Sequence, residues 1–349
     1  GLNLEQMITY SREGEGNTCS TIVPIGNNEP EIILPYESGF FIPIRTPFVL
    51  NAEVEDIDGD DLTYSWEQFN TDPIISDLGE PRGNGPSFRS FPPREESFRV
   101  FPRIGAVINN ISEDTEVLPT YSRDFTFRCT VRDNARPAAA TVWKEVSFKA
   151  TEAAGPFLVL SPNADTVVWE AGSDQEIIWD VANTDKAPVN SKFVNIKLSL
   201  DAGRTYPFTL LENTPNDGSE FVTIPDTLSD DARIRVEAAD NIFFDISNRN
   251  FEIVPPSAPG FTMQLTPTYQ QLCLPASVDI ALQTDSLLGL DSTVLLSVVD
   301  GLPEGATATF LKDTISTVEN SILTLDFANA TLDSLIEITV QGIVPGVDT

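Results

Sequence analysis

The feature that most limits what this chain can fold into is a repeated local pattern. From "PFVLNAEVE" onward the sequence is a succession of short alternating runs. They include "LTYSWEQF", "FTFRCTVRD" and "KEVSFKA", then "TVVWEAG", "EIIWDV", "NIKLSL", "FVTIP", "RIRVEAA" and "NFEIV". The last part adds "SVDIALQ", "TVLLSVV", "ATATFL", "SILTLDF" and "LIEITVQG". Successive side chains on a strand point to opposite faces, so each run offers one apolar face to a core. Pro, Gly, Asn and Asp stand between them, and short strands separated by turn residues at about 8–12-residue spacing fold as β-sandwiches. The start is different. Leu4, Met7 and Ile8 fall at i, i+3 and i+4, which predicts a short helix stopped by "GEGN".

Two proline-bearing breaks, "ATEAAGPF" (150–157) and "IVPPSAPGF" (253–261), divide the strands into three groups. A chain of 349 residues has room for two or three domains of about 100–150 residues. The expected fold is all-β: three tandem immunoglobulin-like sandwiches over 20–152, 155–254 and 258–349, behind an N-terminal helical remnant at 1–19. The third, ending in "GIVPGVDT", reads as clipped. Proline stiffens a connection, so the three are expected to form a semi-rigid rod.

Composition then removes whole classes of function. The formal charge is −32, which repels nucleic acid and anionic membrane surfaces and attracts divalent cations. There is no histidine, so no Ser-His-Asp triad, Cys-His dyad or histidine-ligated zinc site lies within these residues. The apolar runs are too short to span a bilayer. Three cysteines, Cys19, Cys129 and Cys273, are too sparse for a disulfide scaffold or zinc cluster. Cys129, inside "FTFRCTVRD", reads as a buried strand residue rather than the partner of Cys19.

Three stretches invite a chemical reading. In "DIDGDD" the carboxylates of Asp56, Asp58 and Asp60 alternate along a turn, with Asp133 and Asn134 of "VRDN" at the end of a later strand. Calcium takes six to eight oxygens, and these side chains supply several; Asp-Gly turns also bound strands for conformational reasons alone. Both readings stand at this point. Between 70 and 120 regular pattern fades, and Arg82, Arg89, Arg94, Arg99 and Arg103 recur with Phe88, Phe91, Phe98 and Phe101. That composition suits either an ordered arm packed on its own domain or a partner-binding surface, where Arg and aromatics are favoured. Asp201 to Arg204 reads as a tight hairpin turn similar to the Asp-x-Gly hairpins of sialidase-type propellers. Trp66 and Trp179 read as core.

The blocks "IPIRTPFVLNAEVEDIDGDDLTYSWEQ", "FRSFPP", "FRVFPR" and "RDFTFRCTVRDN" occur in that order. "AGPFLVLSP", "WEAGSDQEIIWDVANTDKAPVNSKF" and "ARIRVEAADNIFFDISNRNFEI" follow them. Together they resemble the region behind the catalytic domain in secreted reprolysin-like zinc metallopeptidases of Bacteroidota. The opening "LNLEQMITYSREGEGNTC" is similar to the last helix of that catalytic domain and its closing cysteine. The resemblance implies export through type IX secretion and an extracellular or cell-surface location. It carries over no catalytic residue, because the zinc-binding motif of the family would lie upstream.

The function expected is therefore a non-catalytic stalk, adhesive or appendage-building segment of a large secreted or cell-surface bacterial protein. Its partners would be other domains, further copies of the same protein, or a cell-surface target. Accessory domains of an active zinc metalloendopeptidase and a carbohydrate-binding module are the alternatives. Calcium is the one cofactor in view, and no zinc is expected in this segment.

Overall fold

Strands make up 43% of the chain and helix 5%, which establishes the all-β class expected from the alternating runs. The computed structural model describes residues 2–18, 25–73, 78–330 and 335–345. By packing, the chain forms two units. The first holds Gly1–Leu158, Asp180–Lys192 and Asp240–Asn248, and the second Val159–Trp179, Phe193–Ala239 and Arg249–Thr349.

In the first unit one sheet runs in the order Phe41–Pro43, Thr141–Thr151, Arg123–Arg132, Thr63–Gln68. Its central strand shows why the pattern folds this way. Phe125, Phe127, Cys129 and Val131 alternate along it, and all are fully buried on one face. Phe125 lies across from Phe148, and Cys129 from Trp66. Burial pushes the Cys129 thiol up to about 12, so it is an inert core residue with no disulfide. Cys19 lies outside the described residues.

Against this sheet packs the pair Phe48–Leu50 and Arg99–Phe101. The Phe48 ring stacks on Phe101 at 5.0 Å and meets Phe127 and Phe148 edge-on at 5.7 and 5.6 Å. The segment around Phe243 joins the same layer: Val49 N–H donates to the Ile242 carbonyl at 2.9 Å and Phe244 N–H to Pro47 at 3.0 Å. Residues that follow the first proline-bearing break in sequence thus complete the core of the first unit. The predicted N-terminal helix forms over Leu2–Arg12, and its Glu5 accepts from Arg128 at 2.9 Å.

The second unit contains two strand sets. One has the order Val168–Glu170, Phe251–Val254, Ser229–Ala238, Phe193–Ser199, Phe208–Pro215, facing Ser219–Thr223, Asp174–Asp180, Leu158–Ser161. The other has Gly260–Thr266, Ser277–Leu287, Ser321–Asp326, Thr307–Phe310 facing Thr314–Ser316, Thr293–Asp300, Thr339–Ile343. Trp179 is core in the first set, with its Nε1–H on Asn216 at 2.9 Å. At Gly172, where φ is +77°, the buried Leu287 occupies the space a Cβ would need. Glycine is required there for both its left-handed backbone and its missing side chain. No helix among the described residues is long and apolar enough to cross a membrane.

Because Phe48 has no exposed surface and rings on several sides, Phe48→Ala should leave a cavity that its neighbours cannot fill. A loss of about 3–5 kcal/mol is expected, read from the urea midpoint followed by Trp66 fluorescence. A loss below about 1 kcal/mol would show that the aromatic layer is not the core of this unit.

Candidate metal centre

Asp56 follows the strand Glu53–Glu55 and folds the next turn with one oxygen. Its Oδ1 accepts the backbone N–H of Asp58 and of Gly59, each at 2.9 Å, and Gly59 takes the φ of +73° that the turn needs. Its Oδ2 is shielded from solvent and has no hydrogen-bond partner. Asp133 follows the strand Arg123–Arg132 and is completely buried. Its Oδ1 accepts from Ala140 N–H at 2.8 Å and Ala135 N–H at 3.2 Å, and its Oδ2 from the Asn27 amide at 2.6 Å. Asp60 is the third member.

Carboxylate oxygens of Asp56, Asp60 and Asp133 lie within 4.8 Å of one another. Two oxygens bound to one calcium ion, each about 2.4 Å from it, stand at most about 4.8 Å apart, so oxygens this close can be reached by a single ion. An all-oxygen donor set is also the one a hard cation prefers. Gathering like charges has a cost. The Asp60 carboxyl is pushed above its ordinary value, by burial first and then by the charges of Asp56, Asp133, Asp58 and Asp61.

Of the five residues singled out in the sequence, the fold brings three together. Asp58 turns away: its carboxylate accepts from the Asn28 backbone N–H at 2.6 Å and side-chain amide at 2.9 Å. Asn134, at φ +53°, donates to the Asp61 carbonyl at 2.8 Å and props the turn. Sequence reasoning missed Asn27. It reaches Asp133 from 106 positions earlier in the chain, and reversing its amide would set a carbonyl oxygen toward the same carboxylates. No local pattern marks it.

The arginine-rich stretch is an ordered arm. Phe88 and Phe101 plug the core, and Trp66 Nε1–H donates to the Ser97 carbonyl at 2.9 Å. Arg99 pairs with the fully buried Glu116 at 2.6 Å and lies over the Phe91 and Phe101 rings. Arg103 pairs with Glu113, Arg94 exchanges backbone hydrogen bonds with Tyr64, and Arg89 lies over Phe91. Arg82 is 76% exposed. Arg82, Arg89, Arg94 and Arg103 are exposed and Arg99 is half-buried. Trp66, Trp169 and Trp179 are buried and Trp143 is half-buried beside Arg128, which removes them as a flat stacking platform.

The Asp201 hairpin is also structural. Burial opposes ionisation there, but the Thr205 N–H and hydroxyl, the Ser199 hydroxyl and the Arg204 N–H outweigh it and hold the carboxyl at about 2.

No protein-family model matches the chain, and no curated protein does. Solved structures of tandem domains align with it. The fibronectin(III)-like modules of CbhA from Clostridium thermocellum are 7% identical over 64% of this chain and 93% of theirs, with a TM-score of 0.22. The FN1-FN3 domains of chicken CNTN1 are 9% identical over 90% of this chain and 93% of that one, TM-score 0.17. Domains 1-6 of the surface layer protein SbsC are 11% identical over 90% of this chain and 39% of that one, TM-score 0.19. At such scores the likenesses carry no functional weight, and the fold class rests on the sheets themselves.

Two outcomes follow from this geometry. Glu116→Leu should strand the Arg99 guanidinium in a buried place and cost about 3–5 kcal/mol by urea denaturation; a neutral effect would mean that Arg99 is hydrated. Asp201 has a depressed folded pKa, so its contribution is full above the unfolded value of about 3.9 and is lost as pH falls toward about 2. Asp201→Asn should therefore narrow its stability deficit against wild type as pH drops through that window, measured by melting temperature. A deficit independent of pH would assign the turn's stability to shape rather than charge.

Proposed function

We propose that this chain is a non-catalytic, extracellular segment of a larger secreted or cell-surface protein, with its first domain held by calcium. The observation that carries the reading is the meeting of Asp56, Asp60 and the buried Asp133. Two distant parts of the first sandwich converge there, and their charges repel until a cation lies between them. A site of few carboxylates suits the weak, roughly 10⁻⁴–10⁻³ M affinity of extracellular calcium modules. Such a site fills outside a cell, where calcium is abundant. The role is positional: sandwich domains that space or join other parts of an assembly, with the first stiffened where the ion sits. Partners would then be neighbouring domains, further copies, or a surface target.

Calcium bound only by the folded state stabilises it by about 2.7 kcal/mol at a hundredfold excess over the dissociation constant. Adding calcium should raise the melting temperature of the first unit, and Asp133→Asn should abolish that rise. Asp58→Asn should keep it, because Asp58 faces Asn28. The effect should weaken as pH falls, since the raised Asp60 carboxyl takes up a proton in place of the ion. An equal rise in wild type and Asp133→Asn would reduce calcium to general screening of the −32 charge.

A further inference from the structure

The second and third sandwiches pack within one unit, and a cavity of about 230 Å³ opens where they meet. Glu170 and Ser173 of the second sandwich line it, with Pro259 from the proline-bearing break and Phe261, Leu287 and Leu290 from the third. The break is clamped at this point. Glu170 ends the strand Val168–Glu170, and its Oε2 accepts the backbone N–H and the hydroxyl of Ser257, each at 2.9 Å. The Ser173 hydroxyl is already engaged, donating to the Glu170 carbonyl at 2.6 Å.

Those two donors on Oε2, the backbone N–H first, hold the Glu170 carboxyl below the ordinary carboxylate range, so it is ionised at neutral pH. Its other oxygen, Oε1, has no hydrogen-bond donor among the described residues, and no arginine or lysine lines the cavity. The third sandwich adds almost no positive charge of its own. From 255 to 349 the sole cationic side chain is Lys312, and it pairs with Glu319. The cavity therefore offers one open carboxylate oxygen beside an apolar wall. Its size narrows the occupant further. A dry cavity of about 150 Å³ takes up benzene, whereas drug-sized ligands occupy about 300–1,000 Å³. A volume between the two fits a single ring with a short arm.

We propose that this cavity binds a small organic ammonium ion with an apolar body, of the class of one-ring aralkyl amines. The ammonium group donates to Glu170 Oε1, and the ring lies against Leu287, Leu290 and Phe261. The charge-assisted hydrogen bond sets the orientation, and burial of the ring supplies the rest of the affinity. The occupant touches both sandwiches and the break between them, so its binding fixes the joint. This reading does not depend on calcium.

Phenethylamine is the probe, titrated into the 349-residue protein by calorimetry at neutral pH. Saturable one-to-one binding is expected, with a dissociation constant of about 1 mM or below. Phenethyl alcohol keeps the ring and lacks the charge, and methylammonium keeps the charge and lacks the ring; each should bind at least tenfold more weakly. Nα-acetyl-lysine amide, standing in for a lysine of a partner protein, should also be the weaker ligand, and tighter binding by it would overturn the small-amine assignment. Glu170→Gln keeps an oxygen for Ser257 and removes the charge, so it should weaken phenethylamine at least tenfold with circular dichroism unchanged. Ala258→Trp, at an exposed lining position, should cover the cavity and abolish binding. Affinity that either variant leaves unchanged, or that methylammonium matches, would assign the effect to the −32 charge and sink the proposal. A failure to saturate by about 10 mM would sink it as well.

Discussion

The stacking of Phe48 on its aromatic neighbours is the contact on which the first unit turns. It joins the small pair Phe48–Leu50 and Arg99–Phe101 to the face of the strand Arg123–Arg132. Aromatic side chains bury large areas and prefer edge-on or offset geometry, so this nest fixes both the spacing and the orientation of the layers. Asp133 is the next residue beyond that strand, and its completely buried position follows from the strand's register. The carboxylate cluster is thus built on the aromatic core, not on the loop alone.

Electrostatics in this protein work against the surrounding charge. Two arginines set into the first unit meet carboxylates: Arg99 pairs with Glu116, and Arg128 with Glu145 and Glu5. The guanidinium of Arg128 also lies 3.7 Å from the centre of the Phe69 ring, so its desolvation is offset by π-density as well as by carboxylates. The converse arrangement, carboxylates facing carboxylates at Asp56, Asp60 and Asp133, has no protein cation among its polar contacts with the described residues. The gathering of like charges makes the cluster a candidate for an ion.

Much of the fold was legible because its signals are local. The alternation of Phe125, Phe127, Cys129 and Val131 declares a half-buried strand, and the Leu4, Met7, Ile8 spacing declares the helix. Asp56 and Asp60 could be paired from their separation, and "VRDN" pointed to Asp133. What was illegible depends on distance along the chain. Arg99–Phe101 is too short a strand to show a period, and Phe208–Pro215 was hidden behind the hairpin turn that precedes it. Asn27 meets Asp133 across 106 positions, which no window on the sequence can join. The assignment of 180–192 and 240–248 to the first unit is of the same kind: sequence breaks follow chain continuity, whereas packing does not.

The close approach of Leu287 to Gly172 bears on how the molecule comes apart. Leu287 ends a strand of the third sandwich, and Gly172 sits just before a strand of the second. Neither sandwich can lose its shape without exposing a buried leucine or opening a gap beside it. The two are therefore expected to melt together as one cooperative block.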